Sequence, residues 1–182
     1  MSQKLAIFEE NDQLALLGAC ESDNEFIPIW LMMRCGMHPS DVSNASKRVT
    51  FQGKFMMWGR VKNKKHRREI VPDNIRPRLE AWLKRGRKLS REGYFHMVKR
   101  VGSRIGHPEY SPMTLRHTFA IQELRRMGKM KPQPPDPLAL LAQKMGCTKA
   151  VAQQNYLDLE QWERLGGEEE DEGNYHEESG QK

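Results

Sequence analysis

Polar and apolar positions repeat at helical spacing over most of the chain. Leu14, Leu16, Leu17 and Cys20 form a stripe between Glu10 and Cys20 that predicts a first helix. A second is predicted over Glu25–Cys35, with Pro28 tolerated in its first turn and Phe26, Ile29, Trp30 and Met33 facing inward. Gly36 stops it. Pro39 then stands in a favoured first helical position, which makes His38 the N-cap of the next helix. The pattern changes after that. "RVTFQ", "KFMMWGR" and "RREIVP" are short runs separated by Gly53 and by the basic segment "VKNKKH", and they predict a three-stranded antiparallel meander. Helical spacing returns over Ile75–Arg87, Ser90–Ile105 and Thr114–Met127. A Pro-rich loop, "GKMKPQPPDP", leads to helices over Leu138–Lys144 and Thr148–Leu165, with Gly166 as a C-cap. The expected fold class is mainly α with one small three-stranded antiparallel sheet. Trp58, Trp82 and Trp162 are expected in the core or an interface, and Met32, Met33, Met56 and Met57 as core filler.

Composition bounds the class of protein. At 182 residues the chain suffices for one domain with a real core, and no apolar run reaches membrane-spanning length. The start, "MSQKLAIFEENDQ", has neither the basic nor the apolar region of a secretory signal. Cys20, Cys35 and Cys147 form an odd, scattered set without a CxxC pair, which argues against a disulfide framework or a zinc site. A cytoplasmic location, associated with nucleoid, viral or plasmid DNA, is the expectation. The net charge of +6 hides a split, because residues 166–182 carry seven carboxylates and one lysine. Residues 1–165 therefore form a strongly basic body, and 166–182 an acidic tail expected to be disordered. A basic body suits a polyanion partner, since phosphate contacts supply most non-specific nucleic-acid affinity.

The stretch "SPMTLRHTFA" concentrates the chemistry. Arg116 stands at a helix start beside the apolar pair Leu115 and Phe119. A solvated or snorkelling arginine would fit that setting; a phosphate clamp would also fit, because a guanidinium grips two phosphate oxygens at once and keeps its charge. Transfer of a phosphodiester to an enzyme hydroxyl needs a nucleophile, such cations, and an acid for the leaving oxygen. Tyr156 in the last helix, Arg116, and Lys62 on the predicted β-turn are candidates for those parts.

With those residues in place, the chain resembles the catalytic domain of the tyrosine recombinases, the phage integrase and Xer type. That family has a Gly-Leu/Met-Arg box, a lysine on the β2–β3 hairpin, a His-x-Leu-Arg-His-Thr box, and a Gly-His or Gly-Trp step nine residues before a nucleophilic tyrosine. Here "CGMHPSDV", "GRVKNKKHRREIVP", "MTLRHTFA" and "MGCTKAVAQQNY" occupy those places in order, and Cys147 and Tyr156 are nine apart. The resemblance runs from about residue 5 to residue 160. It implies a recombinase catalytic domain over residues 1–165 that cleaves and rejoins duplex DNA through a 3′-phosphotyrosine on Tyr156. Arg116 would clamp the scissile phosphate and Lys62 would be the proton donor. Arg60, Lys64, Lys65 and His117 would lie along the DNA, with His117 as a supporting helix-start residue. No metal, cofactor or small-molecule substrate is implied. Self-association on DNA, from dimer to tetramer, is expected.

Three positions depart from the family. His38 follows Gly36-Met37 where the first-box arginine would stand, and imidazole lacks the guanidinium fork. Arg34, one helical turn earlier, is a candidate substitute. Met113 occupies the second-box histidine position and can neither carry a proton nor hold phosphate. Cys147 replaces the third-box His or Trp, and is read as a weak donor or a structural cysteine. The family also carries an N-terminal helical domain that grips the far face of the duplex. This chain starts directly at the catalytic-like region, so its DNA binding is expected to be weaker and strongly salt-dependent. Two alternatives stay open: a degenerate relative that binds DNA without cutting it, as an accessory or regulatory protein, and a helix-turn-helix regulator.

Overall fold

A computed structural model describes residues 9–59 and 66–156. Its elements are α1 (Glu10–Gly18), α2 (Asp23–Arg34), α3 (Pro39–Ser43), α4 (Ala45–Arg48), β1 (Thr50–Gln52), β2 (Phe55–Gly59) and β3 (His66–Ile70). Then follow α5 (Arg76–Arg85), α6 (Arg91–Arg104), α7 (Pro112–Gly128), α8 (Pro137–Met145) and α9 (Lys149–Tyr156). The expected class holds: mainly helical, with one antiparallel sheet in the order β1-β2-β3. The predicted continuation of the last helix to Leu165, the Gly166 cap, Trp162 and the acidic tail lie outside the described residues.

The centre of the molecule is α2. Ile27, Ile29, Leu31, Met32 and Met33 are all buried, because α5, α6 and α7 pack around this helix. A helix apolar on nearly every side belongs in a core. Trp58 and Trp82 are buried as expected, as are Met32, Met33 and Met56, while Met57 is half-buried. Leu14 corrects the first predicted stripe. It is exposed, whereas Gln13 and Leu16 are buried. Leu14 and Leu16 sit roughly 200° apart on a helix and cannot share a face. The four-residue α4 was not expected, since so short a turn carries no periodic signal.

The buried apolar residues form two clusters. The larger gathers α1 to α6, the sheet and Leu115; the smaller joins Phe119, Ala120, Leu124 and Met127 to Leu141, Ala142, Met145 and Ala152. Helix α7 therefore serves both, and Arg116 lies in the turn between Leu115 and Phe119.

On the outside of α2, Glu25 is a buried carboxylate that ties the first helices to α6. It accepts from Arg104 at 2.6 Å, from Arg100 at 2.9 Å and from the Glu21 N–H at 3.0 Å. Burial by itself would raise its pKa, but the bonds from Arg104, Glu21 and Arg100 outweigh it and bring the value down to about 2. A depressed folded-state pKa means stabilisation that is present above the ordinary value of 4.5 and lost as pH falls through about 2. After discounting for solvent around the more exposed Arg100, the loss is about 2 kcal/mol. Urea midpoints between pH 6 and pH 2 should show it, and Glu25→Gln should flatten that part of the acid limb.

Candidate functional site

Helix α7 starts at Pro112, two residues before the predicted Thr114. The Ser111 hydroxyl accepts from the Thr114 N–H at 3.3 Å, and Thr114 returns the bond to the Ser111 N–H at 3.3 Å, a reciprocal cap with Pro112 at the first helical position. This fixes the first turn and delivers Arg116 into the interior, where it is only 5% exposed. Its guanidinium donates to the Gly36 carbonyl, a residue 80 positions earlier.

Gly36 ends α2 with φ +62, a left-handed conformation that lets the Met37 N–H reach back to the Leu31 carbonyl at 3.1 Å. The ring of Phe119 and the sulfur of Met145 pack directly on its Cα. A Cβ there would lie 2.5 Å from Phe119 Cδ1 and 3.0 Å from Met145 Sδ. Three segments remote in sequence thus meet at one point: the Gly36-Met37-His38 strap, the second turn of α7, and the end of α8.

His38 caps α3 as predicted. Its Nδ1 accepts from the Ser40 N–H at 3.2 Å and lies 2.7 Å from the Ser40 hydroxyl. With Nδ1 accepting, the neutral ring carries its proton on Nε2, so the imidazole is a single-proton donor on that side. His117, next to Arg116, is half-buried. Burial lowers its pKa from the ordinary 6.5 and the Arg116 charge lowers it further, so the ring is neutral near pH 7. Cys147 is half-buried and packs on the smaller apolar cluster, its N–H bonded to the Ala142 carbonyl at 3.0 Å. Met113 is 44% exposed on the first turn of α7. Arg34 is half-buried in the last turn of α2. Tyr156 is the final residue of α9, two turns beyond its start at Lys149. Arg60, Lys62, Lys64 and Lys65 lie outside the described residues.

Two buried charges at this junction were not anticipated. Arg67 on β3 lies 3.8 Å from Asp41, in the first turn of α3, and Arg48 holds the same carboxylate at 3.3 Å. The guanidinium of Arg67 lies 5.7 Å over the Trp58 ring, its cross-strand partner, and presses on Gly146. Gly146 is the left-handed C-cap of α8, φ +65, and any Cβ there would collide with Arg67. Alternation in "HRREI" separates Arg67 and Glu69 from Ile70, but only pairing against β2 shows which set faces the core. Trp58 and Met56 are the buried residues of β2, and their partners are Arg67 and Glu69.

Beside this junction a cleft of about 480 Å³ runs between β3 and the facing ends of α7 and α8. Arg68, Arg126 and Lys144 line it with Ile70, Met130 and Leu140. Lys144 is held there by Glu69 at 2.9 Å and Glu123 at 2.8 Å. Among the described residues, no three His, Cys, Asp or Glu side chains come close enough to hold a metal ion. Likewise no helix among them is long and apolar enough to cross a membrane.

No protein-family model matches the chain, and no curated protein matches it by sequence. Among solved structures, that of XerA recombinase is similar, with a TM-score of 0.64 at 17% sequence identity. The match covers 87% of this chain and 63% of that one, so this chain spans less than two thirds of the length of its structural neighbour. At such identity the likeness is one of fold: the described chain has a tyrosine-recombinase-like catalytic-domain architecture.

Proposed function

We propose that this protein breaks and rejoins strands of duplex DNA through a covalent 3′-phosphotyrosine on Tyr156. The observation that supports this reading is the burial of Arg116 against the Gly36 carbonyl. That contact gathers the Gly36–His38 strap, the Arg116 box and the end of α8 ahead of Gly146-Cys147. A guanidinium only 5% exposed is not a solvated surface charge, and its fixed place at the Gly36 carbonyl suits a phosphate clamp.

In the proposed reaction the Tyr156 phenolic oxygen attacks the scissile phosphorus. A new O–P bond forms as the bond to the 5′ oxygen breaks, and the phenolic proton passes to water. Lys62 gives a proton to the departing 5′ oxygen, which leaves as a free hydroxyl. Arg116 holds the non-bridging oxygens as charge builds on them. His38 adds a single N–H from Nε2, and neutral His117 steadies the Arg116 turn. Rejoining runs the same steps backwards. One phosphodiester is exchanged for another, so the bond energy is kept and no high-energy cofactor is consumed. Affinity for DNA would come mainly from the basic body and from self-association on the duplex.

A second reading, DNA binding without cleavage, is favoured by Met113, which stands exposed where a proton-carrying histidine would serve the reaction. A covalent-adduct assay separates the two. The protein is incubated with supercoiled plasmid at low salt, denatured, and examined for SDS-resistant complexes and relaxed topoisomers. Cleavage predicts an adduct in the wild type that Tyr156→Phe abolishes while DNA binding is unchanged. Salt-sensitive binding with no adduct on any supplied DNA would overturn cleavage in favour of the binder.

A further inference from the structure

Strand β3 is built against its own hydrophobic pattern. Ile70 is 55% exposed, while Arg67 is 6% exposed and faces the core opposite Trp58. A slip of one residue would turn Arg68 and Ile70 inward and Arg67 and Glu69 to solvent. Either register brings an arginine inward, but the observed one leaves Ile70 exposed and so gives up apolar burial to place Arg67, rather than Arg68, on the core side. Violations of this kind are expected where a site needs the residue. The surroundings are shaped to accept it. Gly146 has no side chain where Arg67 lies, Trp58 supplies an aromatic face, and Asp41 stands at 3.8 Å.

These contacts place Arg67 between two parts of the candidate site. Asp41 belongs to the helix that His38 caps, and Gly146 immediately precedes Cys147. Gly146 also follows Met145, which packs on Gly36, the residue that accepts from Arg116. The two buried arginines therefore flank the same short junction, one from β3 and one from α7.

We propose that Arg67 is a second phosphate-binding guanidinium of this site, supplying from the strand the forked donor that position 38 lacks. The inference rests on the reading of the site as one for a DNA phosphodiester. Asp41 orients Arg67 before the anion arrives. An oxyanion then takes guanidinium protons from Arg67 on one side and from Arg116 on the other, which a histidine at position 38 cannot match with its single donor.

The test uses two readouts on the full chain: the thermal midpoint with and without orthovanadate as a phosphate mimic, and adduct formation on supercoiled plasmid. Wild type should be stabilised by orthovanadate, and Arg67→Gln should lose that shift and about 100-fold of adduct formation. Adding His38→Arg to Arg67→Gln should bring back the shift and much of the adduct, a rescue that a purely structural arginine would not allow. Should Arg67→Gln fail to fold, Arg67→Lys decides: it keeps the charge but not the fork, so the shift should fall sharply. An orthovanadate shift that survives in the Arg67 variants, a folded double variant without rescue, or a wild type with no shift would each overturn the assignment. A shift that depends on Arg67 with no adduct in wild type would uphold the clamp while removing cleavage from the proposed function.

Discussion

Arg116→Ala should reduce covalent adduct formation by about 1,000-fold, the upper range for losing a charge-assisted contact to a developing oxyanion. It should also lower unfolding stability by about 2 kcal/mol, because the buried Gly36 carbonyl loses its donor and a void opens beside the α2 end. The two effects need separating, and Arg116→Lys does so. A lysine fills part of the void and retains charge, but it cannot serve the carbonyl and two phosphate oxygens together. Stability should then recover more than activity does. Urea denaturation and the SDS-resistant adduct assay on the same three proteins give both numbers. An Arg116→Ala protein that is destabilised yet forms adduct at the wild-type rate would make this arginine a packing residue only.

Gly36→Ala should cost about 3 kcal/mol of unfolding stability, one of the larger effects available from adding a single methyl group. Two penalties combine. At φ +62 an L-residue is strained by about 1 kcal/mol. The added Cβ would also stand 2.5 Å from the Phe119 ring and 3.0 Å from the Met145 sulfur, neither of which can retreat without disturbing the smaller cluster. Gly53→Ala is the control. It has φ +56 but open space around it, so only the backbone penalty of about 1 kcal/mol applies. Equal losses at the two positions would mean the close approach of α7 and α8 to Gly36 carries no energy. Because Gly36 also holds Arg116, its alanine variant should lose adduct formation in proportion to how far the strap moves.

The N-cap at His38 was legible because capping is local chemistry, decided within three or four residues. The same holds for Gly36 as a helix end, and for the three short strands around Gly53. Leu14 was misplaced because leucines two apart look like a stripe in the sequence and lie on different faces of a helix. Arg67 was missed for a different reason. Its segment alternates cleanly, but alternation names two faces without saying which is inside.

What the sequence alone determined is therefore the mainly helical class with its meander, the helix ends, and the short-range spacings, such as the nine residues from Cys147 to Tyr156. These follow from backbone sterics and side-chain period, which act over a turn or two. Only the tertiary structure decided that Gly36 receives Arg116, that α8 closes over Gly36, and that Arg67 and Asp41 share the interior. Those outcomes depend on strand register and on which helix faces meet. They are set by burying the most apolar surface across the whole chain, and no local run of residues encodes them.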